Sequence, residues 1–140
     1  NPLFHGEIST LNKFFAENKS RSTNDLIFLS THEPCPMCLS AITWAGFDTI
    51  YYFFNYQETK KTFKIVHDLD ILSEVFGRSD GTYIKENYFW KCYAMKELIS
   101  NLEPVSKDSL LEITERISSL YGSLSDEYQS KKNDNSIPLN

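Results

Sequence analysis

Two cysteines separated by two residues follow an apolar run in this sequence. They are Cys35 and Cys38 in the stretch EPCPMC, and a histidine and a glutamate, His5 and Glu7, stand near the beginning of the chain in HGE. Two thiolates and one imidazole can bind zinc and leave a fourth coordination position for water. A carboxylate beside that position can transfer protons. A catalytic metal site with His5, Cys35 and Cys38 as ligands and Glu7 as proton carrier is therefore one interpretation.

Two other interpretations of the cysteine pair compete with it. A CxxC pair at the start of a helix, after a strand, is also typical of redox dithiols, in which the helix N-terminus lowers a thiol pKa. Such folds place a later proline beside the dithiol, and the later prolines Pro104 and Pro138 are poorly placed for this role. A structural zinc site needs four protein ligands. The chain offers no second CxxC and no HxxxH, so a structural site is the weaker alternative.

The elements that position these residues follow from the periodicity of apolar residues. Apolar spacing predicts a first helix over 5–18, and the run LIFLST at 26–31 predicts a strand buried on both faces. A helix is expected from Pro34 to the stop signal at Gly46, followed by a second strand at 49–55. Helix, strand, helix and strand in this order predict a βαβ unit with parallel strands.

The second half of the chain carries weaker signals. A helical pattern over 57–76 is interrupted near His67, and 77–82 is a cluster of turn residues. The segment 86–102 predicts a helix containing Cys92 as a buried thiol, and another helix is expected near 107–121. The resulting organisation is a catalytic domain at 1–104, a C-terminal helix at 105–124 and a polar, frayed tail at 125–140.

Composition limits the classes of function. The chain has 140 residues and 41% hydrophobic content, which suits one compact domain, and no apolar run approaches the length of about 20 residues that spans a bilayer. A net charge of -5 argues against long nucleic acid as a partner. Three cysteines, an odd number, favour a reducing compartment, so a cytoplasmic location is expected.

The combination HGE…PCPMC resembles the H-x-E…P-C-x-x-C signature of zinc deaminases. On these residues the chain is similar to the cytidine deaminase superfamily, in the branch of deoxycytidylate, guanine and tRNA-adenosine deaminases. The segment EPCPMCLSAITWAGFDTIYY at 33–52 is especially similar to guanine deaminases, and NPLFHGEI at 1–8 resembles the stretch that delivers the histidine and glutamate. The resemblance covers residues 1–55.

This resemblance implies a three-layer α/β/α fold with a central mixed sheet. It implies Zn²⁺ held by His5, Cys35 and Cys38, with Glu7 moving protons while water replaces an exocyclic amine. It also implies substrate contacts from three further positions: Gly6, Glu33 and Trp44. A tryptophan on an apolar helix face is more often part of the core, so Trp44 has two interpretations.

The resemblance implies a small nucleobase, nucleoside or nucleotide as substrate, with guanine, cytosine and dCMP as candidates, and a homodimer as the assembly. The alternatives are RNA editing of the tRNA adenosine deaminase type, a thiol–disulfide protein, and a zinc-binding subunit without activity. The family places a helix and a β-hairpin before the H-x-E helix, and these elements are absent from the given chain. We therefore expect that the given residues leave one edge of the sheet uncovered. In the complete protein, either upstream residues or a partner subunit would cover this edge.

Overall fold

A computed structural model describes residues 1–132 and contains three strands and six helices in this range. The first half has the order predicted from the sequence, and the second half adds four helices and one strand. The elements are α1 (Gly6–Glu17), β1 (Ile27–His32), α2 (Pro36–Trp44), β2 (Thr49–Phe54), α3 (Tyr56–Phe63), α4 (His67–Phe76), β3 (Lys91–Ala94), α5 (Met95–Ser100) and α6 (Pro104–Lys131). No helix among the described residues is long and apolar enough to cross a membrane.

The three strands form one parallel sheet in the order β1-β2-β3. Ser30 lies opposite Tyr52 in the first pair, and Ile50 lies opposite Cys92 in the second. The β1-α2-β2 connection confirms the predicted βαβ unit. Antiparallel pairing, which a mixed sheet requires, is limited within residues 1–132 to a single bridge between Glu86 and Lys91.

The main core fills the space between the sheet and helices α1 and α2. It contains buried side chains from both helices and all three strands: Leu11, Phe28, Leu39, Ile42, Phe47, Ile50, Tyr52, Trp90, Cys92 and Ala94. Trp90 also ties β3 to α2, because its indole N–H donates to the Thr43 hydroxyl at 2.7 Å. This packing fixes α2, which begins beside the two cysteines, against the sheet.

A second, aromatic core joins the end of the sheet to helices α3 and α6. Phe53, Phe54 and Phe63 are buried there, and Tyr121 of α6 packs against them. His32, at the end of β1, lies among these rings and shares a hydrogen bond with Thr59 at 3.0 Å. Burial lowers the pKa of His32, and this histidine does not belong to the cluster of possible metal ligands formed by His5, Cys35 and Cys38.

The prediction of a helix over 86–102 is wrong in its first half. Residues 91–94 form β3, and only residues 95–100 are helical. A short run of aromatic and apolar residues satisfies both periodicities, and pairing with β2 decides the outcome. Cys92 is buried as predicted, but it lies in a strand opposite Ile50.

Two further predictions need correction. β1 is not buried on both faces: Ile27 and Leu29 are 62% and 65% exposed, because β1 is the end strand of the sheet and no described element covers this face. The C-terminal helix is longer than predicted, since α6 continues to Lys131. Its last turns gain tertiary contacts, including a bond from the Gln129 amide to the Phe63 carbonyl at 2.8 Å. Residues 133–140 of the predicted tail lie outside the described residues.

Candidate active site

The starts of two helices bring the predicted metal ligands together. His5 is the residue before α1, and Cys35 is the residue before α2, where Pro36 occupies the first helical position. Cys38 follows one turn later, and its backbone N–H donates to the Cys35 sulfur at 3.5 Å. The Pro-Cys-x-x-Cys pattern thus encodes both the helix start and the spacing of the thiols on one face.

The three side chains meet with the separations that zinc requires. The Nδ1 atom of His5 lies 3.6 Å from the sulfur of Cys35 and 3.6 Å from the sulfur of Cys38. Zinc bonds of about 2.3 Å to sulfur and about 2.0 Å to nitrogen, at tetrahedral angles, place these atoms about 3.6 Å apart. The donor set and its spacing therefore fit Zn²⁺. Among the described residues, no fourth Cys, His, Asp or Glu completes this cluster.

The electrostatics of the cysteine pair also favour a cation. A hydrogen bond from Cys38 lowers the pKa of the Cys35 thiol to about 7, despite its burial. The same partnership raises the pKa of Cys38, and burial and the nearby Glu7 carboxylate act in the same direction. The first thiolate therefore forms near neutral pH, and the second needs a positive charge beside it. A divalent metal ion supplies that charge.

Glu7 lies beside the cluster, in the first turn of α1. It is half-buried, and it interacts with the Cys38 thiol without being a member of the three-residue cluster. The hydroxyl of Ser30, a buried residue of β1, donates to Glu7 Oε1 at 3.1 Å. The carboxylate is thus oriented by the sheet. The sequence analysis missed Ser30, although it is a polar residue within an apolar strand.

A second carboxylate near the cluster, Asp68, was also missed. It lies in the first turn of α4, and its charge acts on His5 and Cys35. Burial raises the pKa of Asp68, and its carboxylate forms no hydrogen bond within residues 1–132. A partly buried, unpaired carboxylate next to a metal-binding cluster can accept hydrogen bonds from a ligand. The only signal in the sequence was its position at the interruption of the 57–76 pattern.

Gly6 lies next to the metal cluster at the start of α1, whereas Trp44 lies at the far end of α2 from the cysteines. Gly6 begins α1 between His5 and Glu7, and a Cβ atom there would meet nothing within 4 Å, so the space before it is open. Trp44 ends α2, about 12 Å along the helix axis from its first turn. It is 92% exposed, so the core interpretation of Trp44 is wrong. The structure does not bring its side chain to the cysteines.

Glu33 occupies a closed polar network directly before the cysteine helix. Its side chain is buried, and Oε2 accepts a bond from the Tyr56 backbone N–H at 2.9 Å. Its Oε1 accepts a bond from the Tyr83 hydroxyl at 2.8 Å and lies 3.0 Å from the Lys85 ammonium. Burial raises the pKa of Tyr83, so that this hydroxyl remains a donor. Tyr83 and Lys85 lie beyond the recognisable motif, which explains why the sequence did not point to them.

Comparison with known proteins supports the geometry. Residues 1–54 match the family model described as the cytidine and deoxycytidylate deaminase zinc-binding region. Over these residues the chain is similar to the cytidine deaminase superfamily, and the match supports its placement there. The matched residues contain His5, Glu7, Cys35 and Cys38, and they end with β2.

A similar curated protein is the guanine deaminase of Bacillus subtilis. The two are 35% identical over 51 residues, which is 36% of this chain and 33% of the relative. The matched segment thus spans about a third of that guanine deaminase. No solved structure matches the chain.

Proposed function

We propose that this protein is a zinc-dependent hydrolytic deaminase that acts on a small nucleobase, nucleoside or nucleotide. The observation that carries the proposal is His5 Nδ1 at 3.6 Å from both the Cys35 and Cys38 sulfurs, with the Glu7 carboxylate beside them. The match of residues 1–54 to a deaminase zinc-binding region supports the same reaction class.

In the proposed reaction, His5, Cys35 and Cys38 hold the metal and Glu7 moves protons. Bound zinc supplies Lewis-acid activation of a water molecule. Glu7 accepts a proton from the attacking water and delivers protons to the ring nitrogen and the departing amine. The oxygen of water forms a bond to the ring carbon, the bond from that carbon to the exocyclic nitrogen breaks, and ammonia leaves. Ser30 orients Glu7 for both transfers.

The backbone around Gly6 and Glu33 would contact the base in this proposal. Open space in front of Gly6 leaves room for a planar ring, and Glu33 precedes the cysteine helix at the other side of the cluster. Trp44 has less support as a substrate contact, because its side chain is exposed at the far end of α2.

Guanine is the substrate that the surroundings favour within this class. Asp68 offers an unpaired carboxylate to the N–H groups of a base, and guanine presents such donors beside its exocyclic amine. The similarity to a guanine deaminase supports the same choice. A net charge of -5 argues against a long RNA substrate, which needs a basic surface.

The test is ammonia release by the zinc-loaded protein with guanine, cytosine, cytidine, dCMP and an anticodon stem-loop as separate substrates. We expect turnover of guanine, and E7A, measured in parallel, should abolish it while retaining zinc. Turnover of the stem-loop alone would contradict the small-substrate proposal, and no turnover by a zinc-loaded protein would contradict the enzymatic one.

One observation favours a second candidate, a thiol–disulfide protein. Cys35 precedes a helix and its thiol pKa is lowered to about 7, as in redox-active CxxC motifs. The position of His5 between the two sulfurs argues for a metal instead. Stoichiometric zinc that only chelators remove would exclude this candidate, whereas a metal-free dithiol with a measurable redox potential would support it.

A further inference from the structure

The polar network around Glu33 connects the metal-binding turn to a part of the chain that the family match does not include. The match ends at residue 54, and the three groups that bind the Glu33 carboxylate come from Tyr56, Tyr83 and Lys85. Glu33 lies two residues before Cys35. The network therefore touches the backbone that determines where the first sulfur points.

Hydrogen bonds hold this turn from three directions. The Glu33 backbone N–H donates to the Phe54 carbonyl of β2 at 2.7 Å. The Tyr56 hydroxyl donates to the carbonyl of Pro34 at 2.5 Å, while its backbone N–H binds the Glu33 side chain. The carboxylate itself is anchored by Tyr83 and Lys85 on its other oxygen. The backbone of the two residues before Cys35 is thus held by hydrogen bonds to the end of β2 and to the first residue of α3.

Tyr83 and Lys85 come from an irregular segment that lies beside β3. The Cys92 backbone N–H donates to the Lys85 carbonyl at 2.7 Å, which fixes the segment to the sheet. The Lys85 ammonium also contacts the Tyr52 hydroxyl and lies over the rings of Tyr52 and Tyr83, at 4.9 and 5.5 Å from their centroids. A lysine held by a carboxylate, a hydroxyl and two aromatic faces has few alternative positions.

The burial of the Glu33 carboxylate makes its position sensitive to the loss of a hydrogen-bond donor. Glu33 is 4% exposed, so bulk water does not reach its carboxylate freely, and the loss of a donor to a buried charge is unfavourable. Loss of the Tyr83 or the Lys85 donor leaves Oε1 with one donor instead of two, which favours movement of the side chain toward solvent. Because Glu33 and Cys35 are separated by the rigid Pro34 alone, such a movement displaces the Cys35 sulfur.

We propose that Tyr83 and Lys85 are positioning residues for the metal centre, acting through the Glu33 carboxylate to fix the Cys35 sulfur opposite His5. This proposal rests on the proposed zinc site but does not require that the protein be a deaminase. It assigns a role to the 83–85 segment, whose side chains do not belong to the three-residue metal cluster.

The test compares Y83F, K85M and E33Q with two matched controls. In K91M, the control for K85M, the lysine lost belongs to a surface ion pair with Glu86. In Y88F, the control for Y83F, the hydroxyl lost belongs to an exposed tyrosine. The metal-free proteins are titrated with Co²⁺, and its thiolate charge-transfer absorption reports both affinity and geometry. Thermal unfolding of each protein is measured with and without Zn²⁺.

We expect Y83F and K85M to weaken Co²⁺ binding about tenfold, the lower end for changes in groups that orient metal ligands, and to alter the charge-transfer band. E33Q, which removes the anchored charge, should do the same. K91M and Y88F should match the wild type. The rise in unfolding temperature on adding Zn²⁺ should also become smaller in the three network variants.

The outcomes separate the two proposals. If the wild type binds Co²⁺ without thiolate charge transfer, the zinc site itself fails. If the wild type binds normally and Y83F, K85M and E33Q keep its affinity and spectrum, the positioning role is wrong, even if the metal-free variants unfold at lower temperature. Should E33Q not fold, Y83F, which removes one hydroxyl from a half-buried ring, decides alone.

Discussion

The two glutamates that flank the metal cluster have opposite surroundings. Glu33 is buried and accepts bonds from a backbone N–H, a tyrosine hydroxyl and a lysine. Glu7 is half-buried, accepts a bond from Ser30 and lies beside the Cys38 thiol. A carboxylate with every oxygen occupied can only hold structure, whereas one with free lone pairs can accept and return a proton. The difference favours the roles proposed above, with Glu33 supporting the metal-binding turn and Glu7 moving protons, although both stand in the same sequence motif.

The largest effect is expected from loss of a thiolate ligand, because the roles proposed for both glutamates require a bound metal ion. C38S should lose stoichiometric zinc and, with it, all turnover, because Cys38 is fully buried and no other described residue can replace its sulfur. Zinc content after dialysis and ammonia release measure the two losses. C92S is the control for loss of a buried thiol, since Cys92 lies outside the cluster and only its contact with the Tyr83 hydroxyl at 3.7 Å connects it to the network around Glu33. Retention of zinc by C38S would contradict the ligand assignment.

The next effect separates the two glutamates directly. E7Q should lower turnover by about 10²- to 10⁴-fold, the usual contribution of a general acid–base group, and leave zinc content unchanged. E33Q should instead weaken metal binding. Metal content and turnover of both variants are measured on the same preparations. If E7Q loses zinc and E33Q keeps it, the assignment of the two roles is reversed.

The contrast also explains how far the sequence alone could lead. The H-x-E and P-C-x-x-C motifs encode their own helix starts, so the positions of His5, Glu7, Cys35 and Cys38 could be predicted without any tertiary contact. The groups that surround the two glutamates could not be predicted from the motifs, because long-range packing brings them together. Lys85 is 52 residues from Glu33 in the sequence. Its segment lies beside β3, and the apolar pattern of β3 also fits a helix, so that only the pairing with β2 defines it as a strand.

Asp68 extends the comparison to a third carboxylate. Like Glu7 it lies beside the cluster, and it has no donor within residues 1–132. If free lone pairs mark the groups that meet substrate, D68N should lower kcat/KM for guanine by about 10- to 100-fold, the value of a hydrogen bond to a charged group. Zinc content should not change. D70N is the control, because Asp70 is an exposed residue of the same helix. An equal loss with cytosine and guanine would argue against recognition of the guanine edge.

The metal-free cysteine pair provides a pH-dependent test of the same surroundings. The pKa of Cys35 is lowered to about 7 and that of Cys38 is raised, so above neutral pH Cys35 is already a thiolate while Cys38 keeps its proton. Zinc binding should then release one proton from the pair above neutral pH and two below it, and affinity should fall as the pH falls. Calorimetry in buffers of different ionisation enthalpy counts these protons. A constant count across neutral pH would contradict the lowered pKa of Cys35.

The smallest effect concerns the single bond that Glu7 accepts. S30A removes the hydroxyl that lies 3.1 Å from Glu7 Oε1, and it leaves the carboxylate partly solvated rather than buried and unpaired. Because water can reach the half-buried carboxylate and replace the lost donor, the net loss should stay at about 0.5–1.5 kcal/mol, so kcat should fall about two- to tenfold with little change in KM or zinc content. S118A removes a hydroxyl that donates within α6 to the Thr114 carbonyl, and it should have no effect on kcat. If S30A is as inactive as E7Q, orientation by the sheet is as important as the carboxylate itself, and the small contribution expected of this bond is wrong.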